Sequence, residues 1–291
     1  MLFVSSNVDL RLEGLEVIWP IPSPQAGLED FSRRCVVGNT NGKLAVSFCR
    51  VVAGPYAACV GASGSEITVE RSHLSSLSGA CLAWDSTLGS VRITQCVLEG
   101  KIALFTITAK AGRIPTRIDF AFNTVVAERV MNLIVFKPVR KSLTFTASRN
   151  LIDSQVLIAL FTIGGFQQTS ETTARMTDML GDAVAWRDES NVYRRGSLYL
   201  AGNVRQQPLS TFPSDLNALV KWLEFWKQPA SKSIEAIIRF GERSGPGDTT
   251  LLPLRSIDAP SGPVPPDVGA NPAETGPGAA FHARQTGPER R

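Results

Sequence analysis

Histidine is nearly absent: His73 and His282 are the only two in 291 residues. That scarcity leaves little room for imidazole catalysis or a histidine-built zinc site. Five cysteines, an odd number, are too few for a disulfide scaffold. Charge is thin as well, at 19% of residues with a net +4, and no run of Lys or Arg concentrates it. The electrostatic footprint of nucleic-acid binding is therefore missing. No apolar run reaches the ~18 residues that a membrane helix needs. There is no Gly-x-Gly-x-x-Gly loop, no His-Arg-Asp and no Asp-Phe-Gly, so kinase chemistry has no residues to act through. The Gly61–Gly64 turn lacks the Lys-Ser/Thr of a phosphate loop. These absences call for no cofactor and no metal.

What is present is an ordinary globular balance, 43% hydrophobic, carrying an internal repeat. One template recurs: apolar, any, apolar, two of any kind, small or polar, any, apolar. Its instances are Leu10-Leu12-Leu15-Val17, Leu44-Val46-Cys49-Val51, Ile67-Val69-Ser72-Leu74, Val91-Ile93-Cys96-Leu98, Ile118-Phe120-Asn123-Val125 and Phe145-Ala147-Asn150-Ile152. The third anchors are spaced by 34, 23, 24, 27 and 27 residues, the first gap holding a Pro-rich excursion from Pro20. A second apolar run lies between successive anchors, so each unit holds at least two short strands divided by Gly, Ser, Asn or Lys turns. Units of this length without helical period predict an all-β fold, a right-handed parallel β-helix of about six coils. The leucine-rich repeat consensus is absent, and a β-sandwich would not repeat one template in register.

The fold carries expectations for individual side chains. The third anchors should pile up inside at a bend, with Asn123 over Asn150 as a short amide ladder. Cys49 and Cys96 share that file two coils apart, on the order of 10 Å, too far for a disulfide. Cys35, Cys59 and Cys81 lie in the second strand column, and all five should be buried thiols. His73 should point outward. Asp188-Glu189, beside Arg187 and Arg194-Arg195, reads as a solvated charged loop. Leu10, Leu12 and Val17 form a raw sheet edge open to self-association.

Beyond the coils, residues 171–188 show helical spacing and Tyr193–Ala201 reads as a strand. Ser214 is placed to cap a helix whose apolar face is Leu216, Leu219, Val220, Leu223 and Trp226, flanked by Trp222 and Phe225 and stopped by Pro229. That helix reads as a lid on an open hydrophobic end. Ile234–Phe240 makes one more strand. From Ser244 onward there are nine Pro and seven Gly in 48 residues, an extended tail partly laid on the body near Leu251, Leu252, Leu254 and Ile257 and loose after about Gly276. The division is a β-helix over 1–165, a mixed α/β cap over 166–243 and a Pro/Gly-rich tail over 244–291.

The coils, the stretch Trp186-Arg187-Asp188-Glu189-Ser190-Asn191-Val192-Tyr193, the Leu216…Trp222…Trp226 helix and the closing Asp267-Val268-Gly269-Ala270…Thr275-Gly276-Pro277-Gly278 segment resemble a bacterial family. Its members are right-handed parallel β-helix domains found C-terminal to serine/threonine protein kinases. The likeness covers about residues 8–281. It implies a non-catalytic sensing or binding module with the chemistry elsewhere, and it transfers no catalytic residue. The start at a strand implies a shortened member, a separate gene fragment or a module whose upstream part is missing.

Two functions follow from different classes. The first is a binding or scaffold module offering its flat face to a glycan or protein partner, with Trp84 as the candidate ligand contact. The second is a carbohydrate-active enzyme, a polysaccharide lyase or glycoside hydrolase, which needs carboxylates converging in one groove. The outward position between the first two anchors reads Arg11, Ala45, Thr68, Arg92, Asp119, Thr146, with a single carboxylate.

Overall fold

The computed structural model describes residues 3–19, 35–55, 57–84, 89–107, 116–135, 141–162, 165–166, 170–204, 207–241, 254–271 and 274–275. Most of them form strands of one long, mostly parallel sheet that winds as a solenoid-like stack.

Three rows of strands build the stack. The first row runs through β2 (Leu10–Glu13), β4 (Cys35–Ser47), β6 (Ala58–Glu70), β8 (Ser90–Thr94), β10 (Thr116–Ala121), β12 (Leu143–Ser148) and β14 (Val184–Glu189). Its register aligns Leu10, Leu44, Ile67, Val91, Ile118, Phe145 and Trp186. The second row aligns Val17, Val51, Leu74, Leu98, Val125, Ile152 and Tyr193. It uses β3 (Glu16–Trp19), β5 (Arg50–Ala53), the openings of β7 (His73–Trp84), β9 (Val97–Ile107), β11 (Thr124–Val135) and β13 (Leu151–Thr162), then β15 (Val192–Arg194) and β18 (Ile234–Phe240). The third row aligns Val37, Val60, Leu82, Leu104, Met131, Ile158 and Leu200. It starts with β1 (Phe3–Ser6) on β4 and ends with β16 (Leu198–Val204). The six sequence templates therefore stack in register.

The bend between the first and second rows is where the small anchors sit. Just before it the chain adopts a left-handed conformation in each coil, at Phe48, Arg71, Gln95, Phe122, Arg149 and Ser190 with φ between 47° and 57°. This conformation disfavours any side chain with a Cβ, by roughly 1–2 kcal/mol, so something must hold the corner. Cys49, Ser72, Cys96, Asn123 and Asn150 all lie inside at 1% exposure or less. Each carbonyl accepts the N–H of the residue just after the next coil's anchor: His73 to Cys49, Val97 to Ser72, Thr124 to Cys96 and Leu151 to Asn123.

Side chains complete the ladder. Asn123 Oδ1 accepts Cys96 N–H at 2.9 Å, and Asn150 Oδ1 accepts Asn123 N–H at 2.9 Å and Asn123 Nδ2 at 3.1 Å. Asn191 Oδ1 does the same for Asn150, and Ser233 Oγ accepts Asn191 N–H at 2.8 Å. The file is thus two rungs longer than the sequence templates indicated. Its first member departs from expectation: Leu15 is 37% exposed, although its carbonyl still accepts Arg50 N–H. Among the described residues no strand lies on the outer edge of β2 or β3, so the Leu15 side chain has no coil to tuck against.

Parallel pairing continues past residue 165. β12 pairs with β14, β13 with β15 and β16, and β15 with β18. The expected helix over 171–188 is α1 (Ser170–Ala183), after which the chain enters β14. Trp186 therefore belongs to a strand: its ring stacks on Phe145 at 4.3 Å and 4°, and strand register outcompetes helical spacing. The region expected as one strand from Tyr193 is β15 and β16, split by a turn at Gly196 (φ 80°).

The lid helix is also shorter than expected. α2 spans Leu219–Phe225, its N-cap is Ala218, and Ser214 Oγ instead accepts Leu216 N–H in the preceding turn. Its buried face is Leu219, Trp222 and Leu223, with Val220 66% exposed. Burying the indole removes more apolar area than burying a valine, and that sets the helix rotation. Trp222 packs edge-on against Trp186 at 5.3 Å, so α2 does cover the last aromatic layer. β17 (Gln207–Pro213) pairs antiparallel with β16, and β19 (Leu254–Asp258) pairs antiparallel with β18. Leu251, Leu252 and everything after residue 275 lie outside the described residues.

Replacing Asn150 by Ala removes an acceptor from Asn123 N–H and strands a buried donor, and should cost roughly 2–4 kcal/mol. The outward Thr146→Ala change should stay within about 0.5 kcal/mol. Urea unfolding of the two variants checks the contrast.

Candidate functional site

Three outer faces follow from the three rows, and they differ in access. The outer side of the third row is closed: Ala83, Phe105, Asn132, Ala159 and Ala201 are all at or below 1% exposure. The outer column of the second row, His73, Val97, Thr124, Leu151, Val192 and Ile234, is buried too. The first row keeps an open outer face.

That open face is flat and polar. One column reads Arg11, Ala45, Thr68, Arg92, Asp119, Thr146 and Arg187 in register. The next reads Glu13, Ser47, Glu70, Thr94, Ala121, Ser148 and Glu189. Arg11–Glu13 (3.2 Å), Lys43–Glu66 (3.2 Å) and Arg117–Asp119 (3.2 Å) are exposed ion pairs, each contributing at most ~1 kcal/mol. Along the adjoining corner Arg71 lies over the Phe48 ring at 5.5 Å and Arg149 over Phe122 at 5.4 Å. Strand spacing puts successive rows roughly 4.8 Å apart. The face therefore presents hydroxyls, guanidinia and carboxylates as repeating lines.

Trp84 is not on it. Register aligns Trp84 with Ala62 and Thr106, its ring faces the interior of the third row, and its exposure is 0%. A ring with no accessible area offers no stacking platform, so the expected ligand contact at Trp84 is corrected. The alternation of β7 brings the indole into the core, where its area is worth more.

His73 faces away from the core, as its register demands, but is 1% exposed. Its Nε2 meets Glu99 Oε2 at 3.1 Å from the neighbouring coil, with both side chains buried. A buried imidazole–carboxylate contact of this kind orients both groups; sequence alone hid it because the two residues are 26 apart and aligned only by register.

Asp188 overturns the solvated-loop reading. It occupies the inward file of Leu12, Val46, Val69, Ile93, Phe120 and Ala147 and is 5% exposed. Five donors converge on it: Trp186 Nε1 (3.1 Å), Asn191 Nδ2 (3.0 Å), Ser231 Oγ (3.4 Å), Tyr193 Oη and Ser233 Oγ. Burial, and next the neighbouring Asp188 charge, push the Tyr193 phenol well above its usual range, so it remains a donor. Gln228 closes the edge of β14 beside it, accepting Asp188 N–H at 2.7 Å and donating to the Trp186 carbonyl. Asp188 is a hydrogen-bond hub that locks the end of the ladder. Trp186-x-Asp188-x-x-Asn191-x-Tyr193 is a seventh template; the acid in an apolar slot and a 41-residue gap concealed it.

The cysteines are free and buried. Cys59 and Cys81 share a column, whereas Cys35 aligns with Ala58 and so falls on the opposite face from Cys59. Burial pushes the Cys96 thiol up to about 12 and that of Cys35 up to about 11. Among the described residues no three His, Cys, Asp or Glu side chains group to hold a metal ion, and no helix is long and apolar enough to cross a membrane.

No protein-family model, curated protein or solved structure matches the chain.

Two outcomes are expected. Asp188→Asn turns one acceptor into a donor among converging donors and should cost about 2–4 kcal/mol in denaturant unfolding. The five thiols should resist a disulfide reagent at pH 8 in the native protein and all react in 6 M guanidinium, measured by thiolate release.

Proposed function

We propose that the chain is a right-handed parallel β-helix serving as a non-catalytic binding or scaffold module, the sensing part of a kinase-linked system. Support for the winding comes from the coil-on-coil parallel register and from the strong right-handed bias of parallel crossovers. The observation that carries the function is the open first-row face, whose polar columns reach solvent along the described strands. Its repeating lines of Arg, Thr, Ser and Glu suit an extended glycan or a strand-like protein surface rather than a compact substrate.

The geometry of its carboxylates favours recognition over hydrolysis. Glu70 and Asp119 lie two coils and two residues apart, roughly 12 Å by strand spacing. That exceeds the ~5–9.5 Å separation of paired glycosidase carboxylates. Arg117 sits on Asp119, and Lys43 on Glu66. Buried polar groups such as Asp188 and the asparagine file are committed to internal hydrogen bonds.

A glycan array followed by titration tests the reading. A bound oligosaccharide should lose at least tenfold affinity in Arg92→Ala or Arg187→Ala, with unfolding midpoints unchanged, and should be recovered intact. Depolymerisation of the bound glycan would replace this reading with a carbohydrate-active enzyme.

A further inference from the structure

The cations of the open face fall into two groups. Arg11, Lys43 and Arg117 each hold a carboxylate at 3.2 Å. Arg92, Arg149 and Arg187 are exposed, and among the described residues no carboxylate pairs with any of them. Arg71, half-buried at the corner, bonds through Nε to the Gln95 side-chain oxygen at 2.8 Å and has no carboxylate either.

These four arginines form one arrangement that occurs twice. Arg71 sits at the corner of one coil and Arg92 in the outward column of the next, since Thr68 aligns with Arg92. Arg149 sits at a corner and Arg187 in that same column one coil on, since Thr146 aligns with Arg187. Between the two arginines of each set lies a register pair of one carboxylate and one hydroxyl, Glu70 with Thr94 and Ser148 with Glu189. Each corner guanidinium rests on a ring from the coil before it, Arg71 on Phe48 and Arg149 on Phe122. The sets repeat after three coils, roughly 14 Å by strand spacing. The one coil between them is neutralised internally by Arg117 and Asp119.

The composition of a set decides what it can take. Two arginines against one glutamate leave a single positive charge, so each set calls for one acidic group. A planar guanidinium fits the paired oxygens of a carboxylate or sulfate. The glutamate and hydroxyl beside it accept and donate hydrogen bonds, which sugar hydroxyls match. A nucleic acid carries charge at every step, and Glu70, Glu189 and the neutral coil oppose so dense a line. The strands β6, β8, β10 and β12 are already paired on both sides, so an arriving peptide finds no backbone edge there.

We propose that the two sets are paired subsites for one strand of an acidic polysaccharide lying along the stack, with a carboxylate or sulfate held at each. The inference rests on the reading of this face as glycan-binding and adds the class of glycan. A long chain engages the second set as an intramolecular event, whereas a short oligomer gains from one set alone.

Oligouronates and sulfated galactan oligomers, with neutral galactan oligomers of equal length, test it on the full chain. An acidic disaccharide should shift the NMR amide signals of both Thr94 and Ser148. Arg149→Gln should abolish the shift at Ser148 while the shift at Thr94 persists. An acidic dodecasaccharide should bind once per chain by calorimetry, and at least tenfold more weakly to Arg92→Gln or Arg149→Gln, each variant keeping the wild-type unfolding midpoint. Neutral oligomers binding as tightly as acidic ones overturn the acidic class and leave a glycan-binding face. Polyglutamate or single-stranded DNA binding more tightly than every acidic glycan also overturns it, giving the face to an acidic peptide or a nucleic acid. Dodecasaccharide affinity unmoved by Arg149→Gln overturns the pairing of the two sets. Silence toward every glycan, acidic or neutral, removes the glycan reading of the face and this inference with it.

Discussion

The structure depends on satisfying backbone amides at one buried corner. Every coil bends between its first and second strands through a left-handed residue, and in this chain those residues include Phe48, Arg71, Phe122 and Arg149. None would choose that conformation unaided. The anchors that follow tie each corner to the next, through carbonyls throughout and through asparagine side chains from Asn123 upward. A ladder of this kind is cumulative: each amide satisfies a donor in one coil while its own N–H is satisfied from the next. The low dielectric inside strengthens such chains and makes any gap in them costly.

Around that corner the three rows divide the remaining work. The interior holds aliphatic layers with Trp84 among them below, and an aromatic series above, from Phe120 through Phe145 and Trp186 to Trp222. The upper end is where polar and aromatic interests meet. Asp188 enters the apolar file there, and Tyr193, Trp186, Asn191, Ser231 and Ser233 surround it with donors. A carboxylate in that position is tolerated because its hydration shell is replaced by protein donors. The outer faces divide differently: among the described residues the third-row column from Ala83 to Ala201 and the second-row column from His73 to Ile234 are buried, while the first-row face is wet and carries the polar columns.

Much of this architecture was legible in the sequence. Six templates stack as read, and the interior placement of positions 49, 72, 96, 123 and 150 followed from their spacing alone. The seventh rung escaped because the insertion holding α1 lengthened the repeat and because Asp188 violated the apolar pattern. His73 pointed the expected way, yet its burial beside Glu99 of the neighbouring coil is a tertiary fact that spacing does not carry. Trp84 misled for a simpler reason: its face is decided by strand alternation in the third row, where the template gave no phase. The α2 face was misread because helical spacing alone does not rank Trp222 above Val220. The open polar face was implied by the Arg11-to-Thr146 column, but which outer faces stay uncovered is a tertiary fact.

Gln228 gives the upper end a particular character. A free strand edge ordinarily invites whatever extended chain arrives next. Here one side-chain amide satisfies both the Asp188 N–H and the Trp186 carbonyl of β14, imitating a neighbouring strand with a single residue. The stack is therefore polar in the geometric sense: one terminus is sealed by a side chain acting as surrogate backbone, and the other shows bare edges among the described residues. Addition of a further strand above β14 first requires the glutamine to let go.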